Sequence, residues 1–484
     1  MRVNVTRANW LGGLAALLLA SACAVPGSGD DVDLGPLFYS HDLTLEPGRE
    51  GGMLGPFFYE RLGSEDNETY TQRSIRPFLS WYRHEDANRS TTLELLYPLL
   101  TYHRTGTEYR VQIGQWIGFS GGQSQTGGQE GRTSLFPFYF ARRSGDPERD
   151  YTAVFPLAGT VKNRLLRDEI NFFMFPLYAK SRVRDRVTWN YLFPFIHYRK
   201  GDHLTGWRLW PLYGTETKGF GEDGPGEKGG YRRRFVGWPF YHDNEEGIGT
   251  ANYSTFNALL PLYAVGRSPQ KDETHLMWPF FYANHFKESG YREYGTPWPF
   301  IVNGSGPGKS HHRVWPFYGK LQDANRKREF YLWPLYVNRE VDNDKIRLQR
   351  TRWLALLYQR SHEERKETGL VRDRRQVWPL FTHETSSDGQ SRFQFLSPLE
   401  PLLPGNKGIR RNYSPLFALW HAEHNANTGR SSRSLLWHLY RGERAPGHKK
   451  TSLLFGLIRY KENEEGKEWR LLWLIPLRST AAKP

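Results

Sequence analysis

A few residue groups in this 484-residue chain have types and spacings that could carry chemistry. Asn303-Gly304-Ser305-Gly306-Pro307-Gly308-Lys309-Ser310 has the glycines and the Lys-Ser ending of a phosphate-cradling loop, but the first required glycine is Asn303. Its flanks favour two strands and not a strand leading into a helix, so it reads as a glycine-rich hairpin. His421-Ala422-Glu423-His424 and His311-His312 are the histidine pairs that could ligate a metal. In a strand His421 and His424 face opposite sides and no third ligand is evident, so no metal site is assigned. Glu245-Glu246 and Glu464-Glu465 sit in Asn-Glu-Glu-Gly runs. A glycosidase needs carboxylates facing each other about 5 to 10 Å apart across a sugar, which adjacent turn residues do not offer. Neither a Gly-x-Ser-x-Gly elbow nor a His-Glu-x-x-His helix is present, and the cysteine count excludes a cysteine nucleophile. No catalytic residue and no cofactor is assigned.

The elements that would position any site follow from a repeat. Its core is an aromatic residue or Leu, then Pro, then Leu or Phe, then usually Tyr. Clear copies carry Trp210 and Pro211, Trp238 and Pro239, Trp315 and Pro316, Trp333 and Pro334, and Trp378 and Pro379. Counting copies that have lost the proline, such as Trp437-His438-Leu439-Tyr440, gives about 23 at a step of about 20 residues, the period of a repeat array. Between cores lie turn formers such as Asp243-Asn244-Glu245-Glu246-Gly247 and Ser387-Asp388-Gly389. The spacing predicts one strand of about 10 to 12 residues per core followed by a hairpin turn. The fold class is therefore all-β, an antiparallel meander of roughly 20 or more strands. Proline at a constant offset predicts a row of bends across the sheet. An open sheet this wide would expose an edge, so closure or coiling into a barrel-like array is expected. In Trp207-Arg208-Leu209-Trp210-Pro211-Leu212-Tyr213 both faces read as apolar near the middle, unlike the alternation of a lipid-spanning barrel. Aligned Trp and Tyr rows could stack sugars or sit at a membrane interface, but packing of the sheet accounts for their presence in every strand.

The N-terminus has Arg2 and Arg7, then an apolar run from Trp10 to Ala20, then Ala20-Ser21-Ala22-Cys23. That order is a secretory leader, and its apolar run is too short for a permanent membrane helix. It resembles the bacterial lipoprotein signal, with Ala20 where Leu is usual, and the resemblance implies acylation of Cys23 as the first mature residue. With Ala24 next, it also implies an outer-membrane address. The expected organisation is a leader over 1–22, a tether over 23–34, one β-repeat domain over 35–478 and a polar tail over 479–484. Without a second cysteine the exported chain has no disulfide, so packing and sheet hydrogen bonds must hold it.

The net charge of +15 is spread over nearly all inter-core segments. An exported protein seldom meets nucleic acid, so anionic glycan, lipopolysaccharide or lipid headgroups are the expected partners alongside the membrane reached through the anchor. The expected function is a non-enzymatic envelope protein, an outer-membrane-associated barrel, conduit or scaffold. The alternatives, in order, are a tethered module binding anionic glycan or lipid, and an enzyme acting on envelope polymers. Gly219 to Arg234 and Gly121 to Gly131 are the segments whose length and composition suggest elaborated loops.

Overall fold

The computed structural model describes residues 37–480 except 66–67, 86–88, 115, 124–127, 222–223, 225, 227, 404, 465 and 474. Cys23, the leader and the tether lie outside the described residues, as do parts of both candidate loops. Among the described residues there are 43 strands and two short helices, α1 (Lys407–Asn412) and α2 (Ser414–Phe417). Each described ladder is antiparallel and joins sequence neighbours, as in Tyr178–Val183 with Arg186–Tyr191. The chain is an all-β antiparallel meander.

The position of the repeat core differs from the expectation. Strands run four to eight residues, and the core lies between them. Tyr331 ends strand Arg326–Tyr331, Tyr336 opens strand Tyr336–Asp342, and Leu335 N–H donates to the Leu332 carbonyl at 2.7 Å to close the turn between them. The same bond closes Leu192–Phe195 and Gly237–Phe240, both at 2.8 Å. Proline stands third in these turns, after a cis bond, as in type VI turns. Trp210-Pro211-Leu212, Trp315-Pro316-Phe317 and Trp378-Pro379-Leu380 form tighter turns of the same kind. Each repeat therefore holds two short strands instead of one long one, and no row of bends crosses the sheet.

The physical reason is that proline has no N–H for a ladder, and a turn asks for none. Its carbonyl is used instead. Trp333 N–H donates to Pro316 O, Trp238 N–H to Pro211 O and Trp278 N–H to Pro261 O, each at 2.7 Å, so neighbouring turns bond to one another along one edge.

Moving the core into a turn also restores the alternation that the sequence concealed. Leu209 pairs with Tyr213, Arg208 with Gly214 and Trp207 with Thr215. Trp207, Leu209 and Tyr213 thus share one face and Arg208 takes the other. Among the described residues, the residue next to most core turns on the first face is apolar, whereas its neighbour on the second face is often polar.

The chain divides into two compact units. Unit 2 spans Gln115–Asp342, and unit 1 combines the residues before it with those after it. These boundaries fall inside the repeat array and not at a linker. In unit 2 a small apolar core gathers Tyr151, Ala153, Val161 and Phe172. Unit 1 brings eight N-terminal strands together with twelve C-terminal ones, and their second faces meet in a polar interior. Thr44 Oγ1 donates to Ser432 Oγ at 2.8 Å, and Asn425 Nδ2 to Leu45 O at 3.1 Å. The α1 residue Asn412 accepts from Ser80 Oγ at 2.7 Å and Tyr82 OH at 3.0 Å, and donates to Glu94 Oε2 at 2.6 Å. Among the described residues no ladder joins the first strand, Phe38–Asp42, to the last, Ile475–Thr480, so the expected closure has no hydrogen-bonded seam.

Candidate anion-binding site

The polar interior of unit 1 holds a partly open cavity of about 380 Å³. It is built from second-face residues of strands far apart in sequence: Tyr39, Glu50, Tyr59 and Gln72 on one side, Arg392, His421 and Arg441 on the other. Arg410 and Arg411 of α1 reach into it, with Lys407 and Arg61 at its lining. Arg76, from the turn after strand Glu68–Ile75, completes the cationic set. Lining cations outnumber lining carboxylates, which are Glu46, Glu50 and Glu423.

Most of these cations have a carboxylate in contact. Arg441 Nε bonds Glu443 Oε1 at 2.6 Å and Arg441 Nη1 reaches Glu50 Oε1 at 3.5 Å, an arrangement that raises the guanidinium pKa further despite burial. Arg392 grips Glu400 with two bonds of 3.1 and 2.8 Å. Burial pushes the Glu400 carboxyl up, but Arg392, Arg410 and the Ser414 hydroxyl overcome it and hold the pKa at about 2. Arg61 bonds Glu46 at 3.1 and 2.6 Å. Arg410 Nη2 lies 3.3 Å from Glu384 Oε2, and loss of solvent together with the Arg392 charge pulls its pKa down to about 10.

Arg76 is different. It is 5 % exposed, its guanidinium carbon lies 3.5 Å from the Tyr59 ring centroid, and its buried Nε has no hydrogen-bond partner. Among the described residues it makes no ion pair. A buried guanidinium without an anion is costly, because desolvation is not repaid by a partner charge.

Two histidines, His421 and His438, complete the walls, and His41 is buried beside His438, their ring centroids 5.3 Å apart. Burial, aided by Arg441, drives His41 and His438 well below the usual imidazole range, and burial with Arg392 takes His421 to about 3. All three are neutral imidazoles near pH 7. His438 Nε2 sits 3.1 Å from Arg441 Nη1, where a neutral ring nitrogen can accept a hydrogen bond.

The residues singled out in the sequence are placed elsewhere, with one exception. His421 faces the cavity, 3.6 Å from Glu423, whereas His424 is exposed on the opposite face of strand Trp420–Asn425. In unit 2, His311 Nδ1 lies 3.0 Å from Glu293 Oε2, which also accepts from Tyr291 OH at 2.6 Å. The His311 bond, reinforced by Tyr291 and Tyr282, outweighs burial and holds Glu293 at about 2, the signature of a satisfied structural carboxylate. Residues 303–310 form a hairpin in which Gly306 pairs with Lys309, whose Nζ lies 4.1 Å from the Tyr291 ring centroid. Glu245 and Glu246 bond Arg232 and Arg233 at 2.5 and 2.6 Å. Glu465 lies outside the described residues. The repeat-core residues, from Trp210 and Pro211 to Trp378 and Pro379, all fall in edge turns. Among the described residues no group of three or more His, Cys, Asp or Glu side chains could hold a metal.

Sequence reasoning missed the cavity because its residues come from both ends of the chain and each is an ordinary inward polar residue of its strand. One signal was present. Gln359, Gln376 and Gln394 each stand beside the apolar residue that flanks a core turn, and Gln359 pairs with Gln376. All three are buried, marking a polar interior. No protein-family model matches the chain, and no curated protein matches it.

Proposed function

We propose that this chain is a non-enzymatic envelope lipoprotein, exported, acylated at Cys23 and associated with the outer membrane, whose unit 1 cavity binds the anionic group of an envelope glycan or lipopolysaccharide. The observation that carries the reading is Arg76, a buried guanidinium with an aromatic neighbour and no anion. Tyrosine and glutamine side chains around it suit sugar hydroxyls, and the guanidinium suits phosphate or carboxylate. Binding is favoured over catalysis because the three histidines, held neutral far below pH 7, are poorly matched to proton transfer at that pH. Strands of four to eight residues, shorter than the 9 to 11 or so of a spanning barrel, support a reading in which the chain sits on the membrane.

Titration calorimetry with inorganic phosphate and with galacturonate separates the two anion chemistries. At least one should bind, with Arg76→Met weakening it tenfold or more. The ligand-free variant should melt at the same temperature or higher, because an unpaired buried charge has been removed. Failure of both probes to bind, or binding indifferent to Arg76→Met, would reject the reading.

A further inference from the structure

Large apolar side chains are exposed along the turn edge of each unit. In unit 2, Phe138, Leu157, Leu212 and Phe317 are each about 60 % exposed, and all occupy turns. Beside the turns, one uninterrupted apolar row follows the ladder pairs from Tyr213 to Val236, Tyr241, Leu259, Tyr263, Leu276 and Phe281. The next positions on that face are already largely polar, with Thr215, Arg234, Asp243 and Asn257 in register. Two residues of strand advance about 7 Å, so the apolar zone is shallow and ends sharply. The opposite edge consists of polar hairpins, such as the one capped by Asp323 and Arg326.

Two further observations say what covers this edge. First, its backbone is supplied with partners: proline lacks a donor, and turn N–H groups at Trp333, Trp238, Trp278 and Leu332 donate to carbonyls of the preceding turn. A surface facing water has no need of such economy, whereas one entering hydrocarbon does, because unsatisfied donors there cost several kcal/mol each. Second, the chain joins the described fold on this edge. Leu37 is 62 % exposed and its carbonyl accepts from Leu54 N–H of the first turn in unit 1 at 3.4 Å. Residues 24–36 separate it from Cys23, a tether reaching at most about 45 Å. The repeated Trp or Phe, Pro, Leu or Phe chemistry varies little between repeats, which suits a laterally uniform partner better than a second protein surface.

We propose that these turn edges are lipid-seating edges, entering the headgroup–acyl boundary of a phospholipid bilayer about 5 to 10 Å deep, as surface-bound apolar faces do, with the polar hairpins directed away. The proposal goes beyond the anion cavity and rests on the envelope reading only for the tether.

The test uses the mature chain, residues 23–484, carrying Cys23→Ser so that no acyl group contributes. It is mixed with phosphatidylcholine vesicles containing lipids brominated near the headgroup, in 0.5 M NaCl to suppress attraction from its net charge of +13, the full chain's +15 less Arg2 and Arg7. Trp116, Trp210, Trp238, Trp278, Trp315, Trp333, Trp378 and Trp437 all lie on the edges. The chain should therefore sediment with vesicles while its tryptophan emission shifts to the blue and is quenched. Leu212→Glu with Phe317→Glu should reduce partitioning tenfold or more while circular dichroism and melting stay unchanged, and Arg76→Met should leave it intact. No sedimentation, sedimentation without quenching, partitioning unaffected by the glutamates, or loss of vesicle binding to a self-associated form that shields the tryptophans would each overturn the proposal. An unaltered Arg76→Met variant keeps this result separate from the fate of the cavity.

Discussion

At the residue scale, the interior of unit 1 is held together by charges and imidazoles whose states are fixed by burial. His41, His421 and His438 have folded pKa values below the unfolded value of about 6.5, so the unfolded chain takes up protons first as pH falls. Stability is retained above that value and lost as pH drops from about 6.5 towards the folded values. Each histidine should cost about 1 kcal/mol between pH 6.5 and 5.5. Urea titrations across that window should reveal the loss, and His438→Gln should flatten it; a denaturation midpoint independent of pH would mean that the three rings are not buried as neutral groups.

At the scale of elements, α1 adds a bridge between the two sets of strands in unit 1 beside direct contacts such as Thr44 with Ser432, and its residue Asn412 reaches three partners. Asn412 is 2 % exposed and satisfies Ser80, Tyr82 and Glu94 together. Asn412→Ala should destabilise unit 1 by about 1 to 3 kcal/mol, the cost of stranding buried polar partners, and chemical denaturation would measure it. Glu94, whose carboxyl burial already raises despite the Asn412 bond, should then rise further.

What the sequence revealed at this scale divides along the two edges of the meander. The polar hairpins were legible because Asn, Asp and Gly announce turns by their own chemistry. The core turns were not, because Leu332, Leu192 and Met277 hold the left-handed position that glycine or asparagine would have flagged. An apolar run with a proline in it was therefore read as the middle of a strand. The antiparallel repeat is legible in the sequence, whereas the two strands per repeat and the alternation of faces are hidden by that one misplacement, and the polar cavity by the separation of its residues along the chain.

At the scale of the whole molecule, the repeat has a direction as well as a period. Each core turn receives the chain from one strand, returns it on the next and hands a carbonyl to the turn that follows, so two strands separate each point on the apolar edge from its successor. Such an array obeys a rule of parity. Excising residues 318–335 would join Phe317 to Tyr336 and regenerate an intact core, and that shortened chain should fold with its melting temperature little changed. Excising only 318–325, a single strand with its hairpin, would send every later strand in the opposite direction and bring a polar loop to the side where a proline turn belongs. That chain should aggregate or fail to accumulate. A gene built this way can lengthen or shorten its product only by even steps, and natural variants of different size should differ by whole pairs of strands.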